Sequence, residues 1–297
     1  KAIKFYELAV ALDPNYALAH IAIAEYYVFL GIHCIIPFAE SSRLAKEAAE
    51  KAAAIDPTCA DAQAALGIAA INYDFDWKAS ENYLLRAIEI NPNSILAHNW
   101  YQALLLQTGR FDQVMEELDR IFQLNPDALL SLHYLAWAHY HSRRFDESIE
   151  VHRRMLSSEP LYAWGRLTFS WALRSAGQRE EALTQAQKAM EYSTGNLMYP
   201  TALAAAQAEA GLRETALETL EKINQMAKTK YVSPFMLAIV YCSLKDKERT
   251  FEQLEKALDE KDVWAVWLGV DPQFDLIRND ERYQDLLRRM NHPLAES

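Results

Sequence analysis

The feature that most constrains the fold of this chain is a helical unit that recurs every 34 residues. Pro92, Pro126 and Pro160 stand 34 residues apart, and so do the turn segments 109–112 and 143–146. Each unit reads as a helix, a turn that ends in Phe-Asp, a second helix and a final Asn-Pro or Glu-Pro. Proline ends the second helix because it cannot continue the hydrogen-bond ladder, and it starts the next helix well. A period of this length predicts one supersecondary unit stacked many times.

The same spacing of small and apolar residues extends well beyond these units. Leu66-Gly67 is an apolar and small dipeptide on a first helix. On second helices, small and apolar residues recur at intervals of three or four residues. The second-helix positions are Ala2, Tyr6 and Ala9, closed by Pro14; Ala45, Ala49 and Ala52, closed by Pro57; Ala182, Ala186 and Ala189; and Ala216, Leu220 and Ile223.

On these residues the chain resembles the tetratricopeptide-repeat (TPR) family over about residues 1–260. The resemblance implies an all-α fold, a right-handed TPR superhelix (an α-α solenoid) of about seven to eight helix pairs with a C-terminal helical cap. It also implies that the first helices line a concave groove in which peptides or partner proteins bind. A repeat scaffold is not itself an activity, so function has to be argued from the groove.

The repeat predicts where most helices lie. A lone second helix is expected at 1–12 and a first helix at 15–30. Complete pairs are expected at 59–72 with 77–90, 95–107 with 111–123, 129–142 with 145–157, 162–175 with 179–191, 197–210 with 213–226, and 232–243 with 247–259. The chain starts without Met and inside a second helix, which predicts that it is a piece of a longer protein.

One unit is longer than the period. Pro14 and Pro57 are 43 residues apart, and the extra residues fall in 31–38, which is apolar where a loop is normally polar. Such a segment is typical of a contact surface or of local packing, and we expect it to fold back on its own helix pair or on a preceding helix. The residues expected to do so are Ile35, Ile36 and Phe38.

The period stops after Lys261. The sequence therefore divides into a TPR array, residues 1–261, and a C-terminal cap and tail, residues 262–297. An open-ended solenoid needs an atypical end that covers its last repeat. The residues expected to cover that repeat are Trp264, Trp267, Phe274, Tyr283, Leu286 and Leu287, and those expected to face water are Arg278, Glu281, Arg282, Arg288 and Arg289.

Three stretches resemble the C-terminal TPR regions of bacterial signalling proteins that carry a winged-helix, Ser/Thr kinase or adenylate cyclase domain. The stretches are LDPNYALAHIAIAEYY, YDFDWKASENYLLRAIEINPNSILAHNWY and WLGVDPQFDLIRNDERYQDLLRRM. This resemblance implies the regulatory or sensor part of a larger bacterial signalling or transcriptional regulator, located in the cytoplasm.

Charge and hydropathy narrow the partners. The chain has 30 Lys and Arg against 41 Asp and Glu, a net charge of −11, which argues against direct binding of nucleic acid. It has no run of 18 apolar residues, so we expect no membrane span. Cys34, Cys59 and Cys242 form no CxxC pair, and they predict neither a disulfide framework nor a zinc site.

Motifs for catalysis are missing from the sequence. It contains no Gly-rich phosphate loop, no HExxH and no GxSxG. His133 and His141 lie eight residues apart and would need a third ligand to hold a metal. Carboxylate pairs such as Glu116-Glu117 and Glu180-Glu181 are expected on the solvent faces of second helices. We therefore expect no enzyme activity, no catalytic residue, no metal and no cofactor.

The concave groove remains as the candidate site. Counting from each proline places aromatic and polar side chains of three consecutive first helices on the inner face. The predicted binding residues are Asn99, Gln107, His133, Trp137, Tyr140, His141, Trp164, Trp171 and Arg174. Aromatic residues with a few polar neighbours are typical binding anchors, so the groove is predicted to take a protein or peptide partner.

Three alternatives stay open from the sequence. Trp137 and Trp171 could simply pack between repeats. The module could instead sense a small molecule that is caged by Trp137, Tyr140, Trp164 and Trp171. It could also be a self-assembling scaffold. Several residues of the lone helix at 1–12 lack a partner helix, which predicts a homo-oligomer through the N-terminal end. Those residues are Ala2, Ile3, Tyr6 and Val10.

Overall fold

The computed structural model describes residues 2–124, 129–193 and 195–295, and within these ranges it has sixteen α-helices and no β-strand. The predicted all-α class is confirmed. The repeat marker Pro126 and the outer ends of the two predicted domains, residues 1 and 297, lie outside the described residues. The helices are α1 Ala2–Leu12, α2 Ala17–Ile32, α3 Phe38–Ile55, α4 Ala60–Asp74, α5 Trp77–Ile90, α6 Ile95–Gln107, α7 Phe111–Leu124, α8 Leu129–His141, α9 Phe145–Ser158, α10 Ala163–Ser175, α11 Arg179–Tyr192, α12 Met198–Glu209, α13 Arg213–Met226, α14 Pro234–Ser243, α15 Lys247–Asp259 and α16 Glu281–Arg289.

The helices stack as the 34-residue period predicts. From α2 to α15 each even-numbered helix packs on the odd-numbered helix that follows it, which gives seven pairs within the described residues. First helices also contact the next first helix, as in α4 with α6, α10 with α12 and α12 with α14. The described residues therefore form an α-α superhelix.

Small side chains allow the close approach of the paired helices. Ala49, Ala182 and Ala216, three of the predicted second-helix positions, are fully buried. A Cβ on Gly67 of α4 would lie 2.7 Å from Cγ of Leu84 on α5, so only glycine fits there. The sequence pattern thus corresponds to packing constraints between the two helices of a pair.

The turn within each pair contains one residue in the left-handed region. Gly109 has φ 73° and Gly177 has φ 75°, where glycine is unstrained. Arg143 has φ 63° at the position 34 residues after Gly109, so this repeat tolerates a non-glycine residue in the same turn.

The apolar insertion packs across the superhelix, which differs from the local packing expected for it. Phe38 is fully buried, and its ring lies 5.5 Å from the ring of Tyr231, just before α14. Ile35 remains exposed. The insertion therefore joins the N-terminal pair to a helix far along the chain, because the curvature of the stack brings these repeats together.

Residues 262–295, which we call the C-terminal segment, contain two 3-10 turns and α16. The turns and α16 contact α14 and α15, as expected for a cap on the last repeat. All six apolar residues predicted to cover that repeat are buried. One of the residues expected in water differs: Arg278 is partly buried and donates to the carbonyl oxygens of Gly269 and Asp271.

The C-terminal segment also runs along the inside of the superhelix, which the expectation of a simple cap did not include. Tyr140 Oη donates to Asp271 at 3.2 Å, and Arg174 donates to Gln273 at 2.8 Å. The indole nitrogen of Trp77 on α5 donates to the carbonyl oxygen of Met290 at 2.8 Å. The segment thus contacts first and second helices from α5 to α15.

None of the helices in the described part of the chain combines the length and the apolar character that crossing a bilayer requires.

Candidate ligand-binding cavity

A cavity of about 610 Å³ lies inside the superhelix, between the first helices and the C-terminal segment. Its walls come from α2, α4, α6, α8, α10 and α12, from the apolar insertion and from the start of the C-terminal segment. No Asp, Glu, Lys or Arg is among the described residues that line it. The phenylalanine, tyrosine and tryptophan residues of the lining are Phe29, Trp100, Tyr134, Trp137, Tyr162, Trp164, Tyr192, Tyr199, Trp264 and Trp267.

Helical spacing explains how single helices supply several lining residues. On α8 the lining side chains are Leu130, the adjacent pair His133 and Tyr134, and Trp137, so that each lies three or four residues from a member of the pair. Residues at this spacing share one face of a helix. The same spacing applies on α6, whose lining residues are Trp100, Ala103 and Gln107.

Trp264 lies at the centre of an aromatic cluster behind and around the cavity. Its ring centroid is 5.9 Å from that of Trp137, 5.7 Å from Trp164 and 6.1 Å from Trp171. Its indole nitrogen donates to the carbonyl oxygen of Ile32 at 3.2 Å. Trp264 therefore fixes the C-terminal segment to three separate parts of the superhelix.

Trp267 forms the adjoining part of this wall. Its ring lies 4.9 Å from that of Trp137, at 81°, and it stacks on His141 at 4.8 Å. Such edge-to-face and stacked contacts are favourable beyond the area that they bury.

His133 is held neutral in the cavity wall. Its Nε2 accepts a hydrogen bond from the indole nitrogen of Trp164 at 2.7 Å, which places the proton of the neutral ring on Nδ1. Burial lowers the pKa of His133 well below its ordinary value, and the neighbouring His152 and His33 add to this effect. Burial also lowers the pKa of His33, the other histidine of the lining. The cavity is therefore uncharged at neutral pH.

The nine predicted groove residues fall into two groups. Gln107, His133, Trp137 and Trp164 line the cavity. The other five are buried outside its lining; they are Asn99, Tyr140, His141, Trp171 and Arg174.

Four of these five contact the C-terminal segment. Tyr140 binds Asp271, His141 stacks on Trp267, and the ring of Trp171 meets that of Trp264. Arg174 donates from its two terminal guanidinium nitrogens to Glu209, Ser243 and Gln273. An open groove along these positions is therefore absent from the described structure, and of the four predicted cage residues only Trp137 and Trp164 line the cavity.

Sequence reasoning missed the walls that come from outside the repeats. Trp264 and Trp267 were assigned only to the cap, and His33 lies in the insertion. The sequence did indicate that the insertion and the C-terminal segment are apolar and aromatic. These two segments face each other across the cavity. Trp100 was missed because it lies one residue from the position counted as inward.

Four exposed apolar side chains of the lining mark the mouth of the cavity. They are Phe29, Ile35, Leu130 and Leu161, and Leu161 is 69% exposed. Large apolar side chains that cluster at an opening are typical of a binding site.

Metal chemistry has no visible basis in the described ranges. No group of three or more His, Cys, Asp or Glu side chains there could hold a metal ion.

The chain shares its all-α superhelical fold with solved structures of low sequence identity. The chain is similar to human IFIT1, solved as a dimer with m7Gppp-AAAA, at 15% identity and a TM-score of 0.60, covering 86% of this chain and 68% of that one. It is similar to yeast Tom70 at 17% identity and a TM-score of 0.56, covering 97% of this chain and 61% of that one. It is also similar to Pseudomonas aeruginosa PilF at 16% identity and a TM-score of 0.52, covering 78% and 96%. No protein-family model and no curated protein matches the sequence.

Proposed function

We propose that this chain is a non-catalytic binding module whose ligand occupies the interior cavity. The observation that carries the proposal is an uncharged, aromatic cavity of about 610 Å³ at the centre of the superhelix. Ligand sites of small molecules are concave, mostly apolar and about 300–1,000 Å³ in volume. This favours small-molecule sensing over a peptide that lies along the whole concave face.

The position of the C-terminal segment supports this preference. A peptide along the concave face would have to displace buried hydrogen bonds such as Tyr140 to Asp271 and Arg174 to Gln273. Breaking buried hydrogen bonds without replacing them costs about 1–3 kcal/mol each. The cavity can be filled without disturbing either bond.

A protein or peptide partner remains the second candidate, and the exposed mouth favours it. Leu130, Leu161 and Phe29 present an apolar rim to solvent. A partner that docks there could insert one side chain into the cavity, since a few buried anchors carry most of the affinity in such interfaces.

We place the module in the regulatory or sensor half of a larger bacterial signalling or transcriptional regulator in the cytoplasm. The support is the resemblance of its repeats and C-terminal ending to the TPR regions of such proteins.

The buried carboxylates Asp262 and Asp271 accept backbone hydrogen bonds and stand outside the cavity lining, which supports a structural role for them rather than a catalytic one.

A titration with Nile red, an uncharged fluorescent dye, tests the binding site. We expect one dye per chain and energy transfer from the tryptophans of the wall. Ala163→Trp fills the cavity at its mouth and should abolish binding, while Ala54→Trp, on an exposed site of α3, should leave it unchanged. Both variants must keep the helical circular dichroism spectrum. Equal binding by all three proteins would contradict the proposal.

A further inference from the structure

We infer that the cavity takes an uncharged ring-containing molecule that carries one hydroxyl, carbonyl or amide group, and that it excludes cations and anions of the same size. The inference rests on the proposed function and goes further by naming the chemical class of the ligand. Three observations support it: the neutral lining, the arrangement of the indole rings, and two buried amides without a partner.

The two amides are those of Asn72 on α4 and Gln107 on α6. Both residues are more than nine-tenths buried, since Asn72 is 6% exposed and Gln107 is 5% exposed. Both line the cavity, and neither side chain makes a hydrogen bond among the described residues. Asn99 Oδ1 and both amide atoms of Gln102 are completely covered by protein. The amide atoms of Asn72 and Gln107 are not, so a ligand in the cavity can reach them.

A ligand that covers these two amides without bonding to them leaves buried polar groups unsatisfied, which weakens its binding. A ligand with a hydroxyl, carbonyl or amide group can donate to the oxygen or accept from the nitrogen of Asn72 or Gln107. The amides therefore select a molecule with a polar uncharged group over a pure hydrocarbon.

Charged ligands lack any compensation in this cavity. An anion would need Lys, Arg or a protonated histidine, but the described lining has no Lys or Arg. The pKa values of His33 and His133 are lowered, chiefly by burial, which shows that the surroundings disfavour a positive charge. A cation would meet the same desolvation cost with no carboxylate in the lining to balance it.

The indole rings are arranged for packing on flat rings rather than for caging a cation. Trp137 meets Trp267 at 81°, and Trp171 meets Trp264 at 86°. In such edge-to-face pairs the positive edge of one ring covers the negative face of the other, so that face is not free for a cation. The remaining surfaces can stack on or meet the edge of an aromatic ligand.

Four indole probes of nearly equal size test the inference by competition with Nile red at pH 7.5. They are tryptophol, which is neutral with a hydroxyl; 3-ethylindole, which is neutral without one; tryptamine, a cation; and indole-3-propionate, an anion. We expect tryptophol to bind at least about tenfold more tightly than either charged probe. We expect it to bind about fivefold more tightly than 3-ethylindole.

Two substitutions test the amides. Gln107→Leu and Asn72→Leu should each reduce the tryptophol advantage over 3-ethylindole, and Gln107→Leu should leave the affinity for 3-ethylindole within about twofold. Gln225→Leu, at an exposed glutamine on α13, serves as the matched control and should change nothing. If both amide variants and the control bind tryptophol like the wild type, the amides do not select the ligand.

The outcomes separate this inference from the proposed function. Tightest binding by tryptamine would reveal a cation site, and tightest binding by indole-3-propionate an anion site; either would overturn the inference. Binding of Nile red that Ala163→Trp abolishes, without displacement by any indole, would leave the proposed function standing and overturn the ligand class. Failure of Nile red itself to bind in the cavity would overturn both.

Discussion

At the scale of single residues, Arg174 shows how a predicted ligand contact can be a structural one. Its guanidinium donates to Glu209 at 2.5 Å, to Ser243 at 2.8 Å and to Gln273 at 2.8 Å. It therefore joins α10, α12 and α14 to the C-terminal segment. The side chain is almost completely buried, so these partners must compensate its positive charge.

Replacing Arg174 should destabilise the fold rather than alter ligand binding. In Arg174→Ala the partly buried carboxylate of Glu209 loses its charged partner, and we expect the free energy of unfolding to fall by about 3 kcal/mol. Urea denaturation measures this change. Arg153→Ala breaks the exposed ion pair with Glu181 and should cost less than about 1 kcal/mol. Equal losses in the two variants would contradict the role assigned to Arg174.

Asp262 is a buried carboxyl group at the start of the C-terminal segment. It accepts hydrogen bonds from Ser233 Oγ and from the backbone nitrogens of Phe235 and Trp264. Burial raises the pKa of Asp262 from 3.8 to about 7, although these hydrogen bonds oppose the shift. The folded state therefore holds the proton more tightly than the unfolded chain does.

The raised pKa predicts a stability that falls with pH. The contribution of the protonated Asp262 is complete below about pH 4 and is lost as pH rises through about 7. Measured against Asp262→Asn, the wild-type free energy of unfolding should decline on the order of 1 kcal/mol per pH unit between these limits. Urea denaturation at pH 5, 6, 7 and 8 gives the difference. Parallel profiles for the two proteins would show that Asp262 does not titrate in this way.

At the scale of elements, the C-terminal segment acts as an inner wall as well as a cap. Trp264 contacts rings on α8 and α10 and the carbonyl oxygen of Ile32 at the end of α2. In an open stack of repeats each unit contacts only its neighbours, and damage stays local. Here one tryptophan connects three distant helices.

Removing that tryptophan should therefore loosen distant helices together. Trp264→Ala deletes a buried aromatic side chain at a cost of about 3–5 kcal/mol. We expect hydrogen exchange to speed up in α8, α10 and residues 29–36 as well as in α14 and α15. Leu276→Ala, at a 73% exposed position of the same segment, should leave exchange unchanged. Faster exchange confined to α14 and α15 would indicate a simple cap.

The sequence allowed the repeated elements to be predicted and left the irregular ones open. The helix at 95–107 was predicted at those residues, because its boundaries depend on local signals such as the Ser94 cap, which accepts from the amide of Ala97. The hydrogen bond of Trp264 to Ile32 joins residues 232 apart in the chain. No period or local pattern specifies such a contact, so the cavity could not be derived from the repeats alone.

At the scale of the whole molecule, contacts between the insertion and the C-terminal half bring distant repeats together around the cavity. Phe38 meets Tyr231, and the ring of His33 lies 5.2 Å from that of Trp164. A binding site built from both halves couples ligand occupancy to their relative position. The proposed sensor function requires such coupling.

Self-association through α1 stays a prediction. None of the residues of α1 is buried. Of the residues predicted for the contact, Ile3 and Val10 are half-buried. The exposed apolar stripe of this helix consists instead of Phe5, Leu8 and Leu12. We expect a concentration-dependent dimer by sedimentation or light scattering, formed by this stripe on two copies. Phe5→Glu with Leu12→Glu should give a monomer, and Ala11→Glu, elsewhere on the same helix, should not. Identical sedimentation of both variants and the wild type would contradict it.

The most direct test of the central claim is the position of a bound ligand. The claim is that the interior cavity, with the C-terminal segment as its inner wall, is the ligand-binding site. A crystal soaked with 5-bromoindole should show one bromine anomalous peak between Trp137, Trp164 and Trp264. The hydrogen bond from the indole nitrogen of Trp264 to the carbonyl oxygen of Ile32 should remain intact. Bromine only on the outer surface, or in place of a displaced C-terminal segment, would contradict the claim.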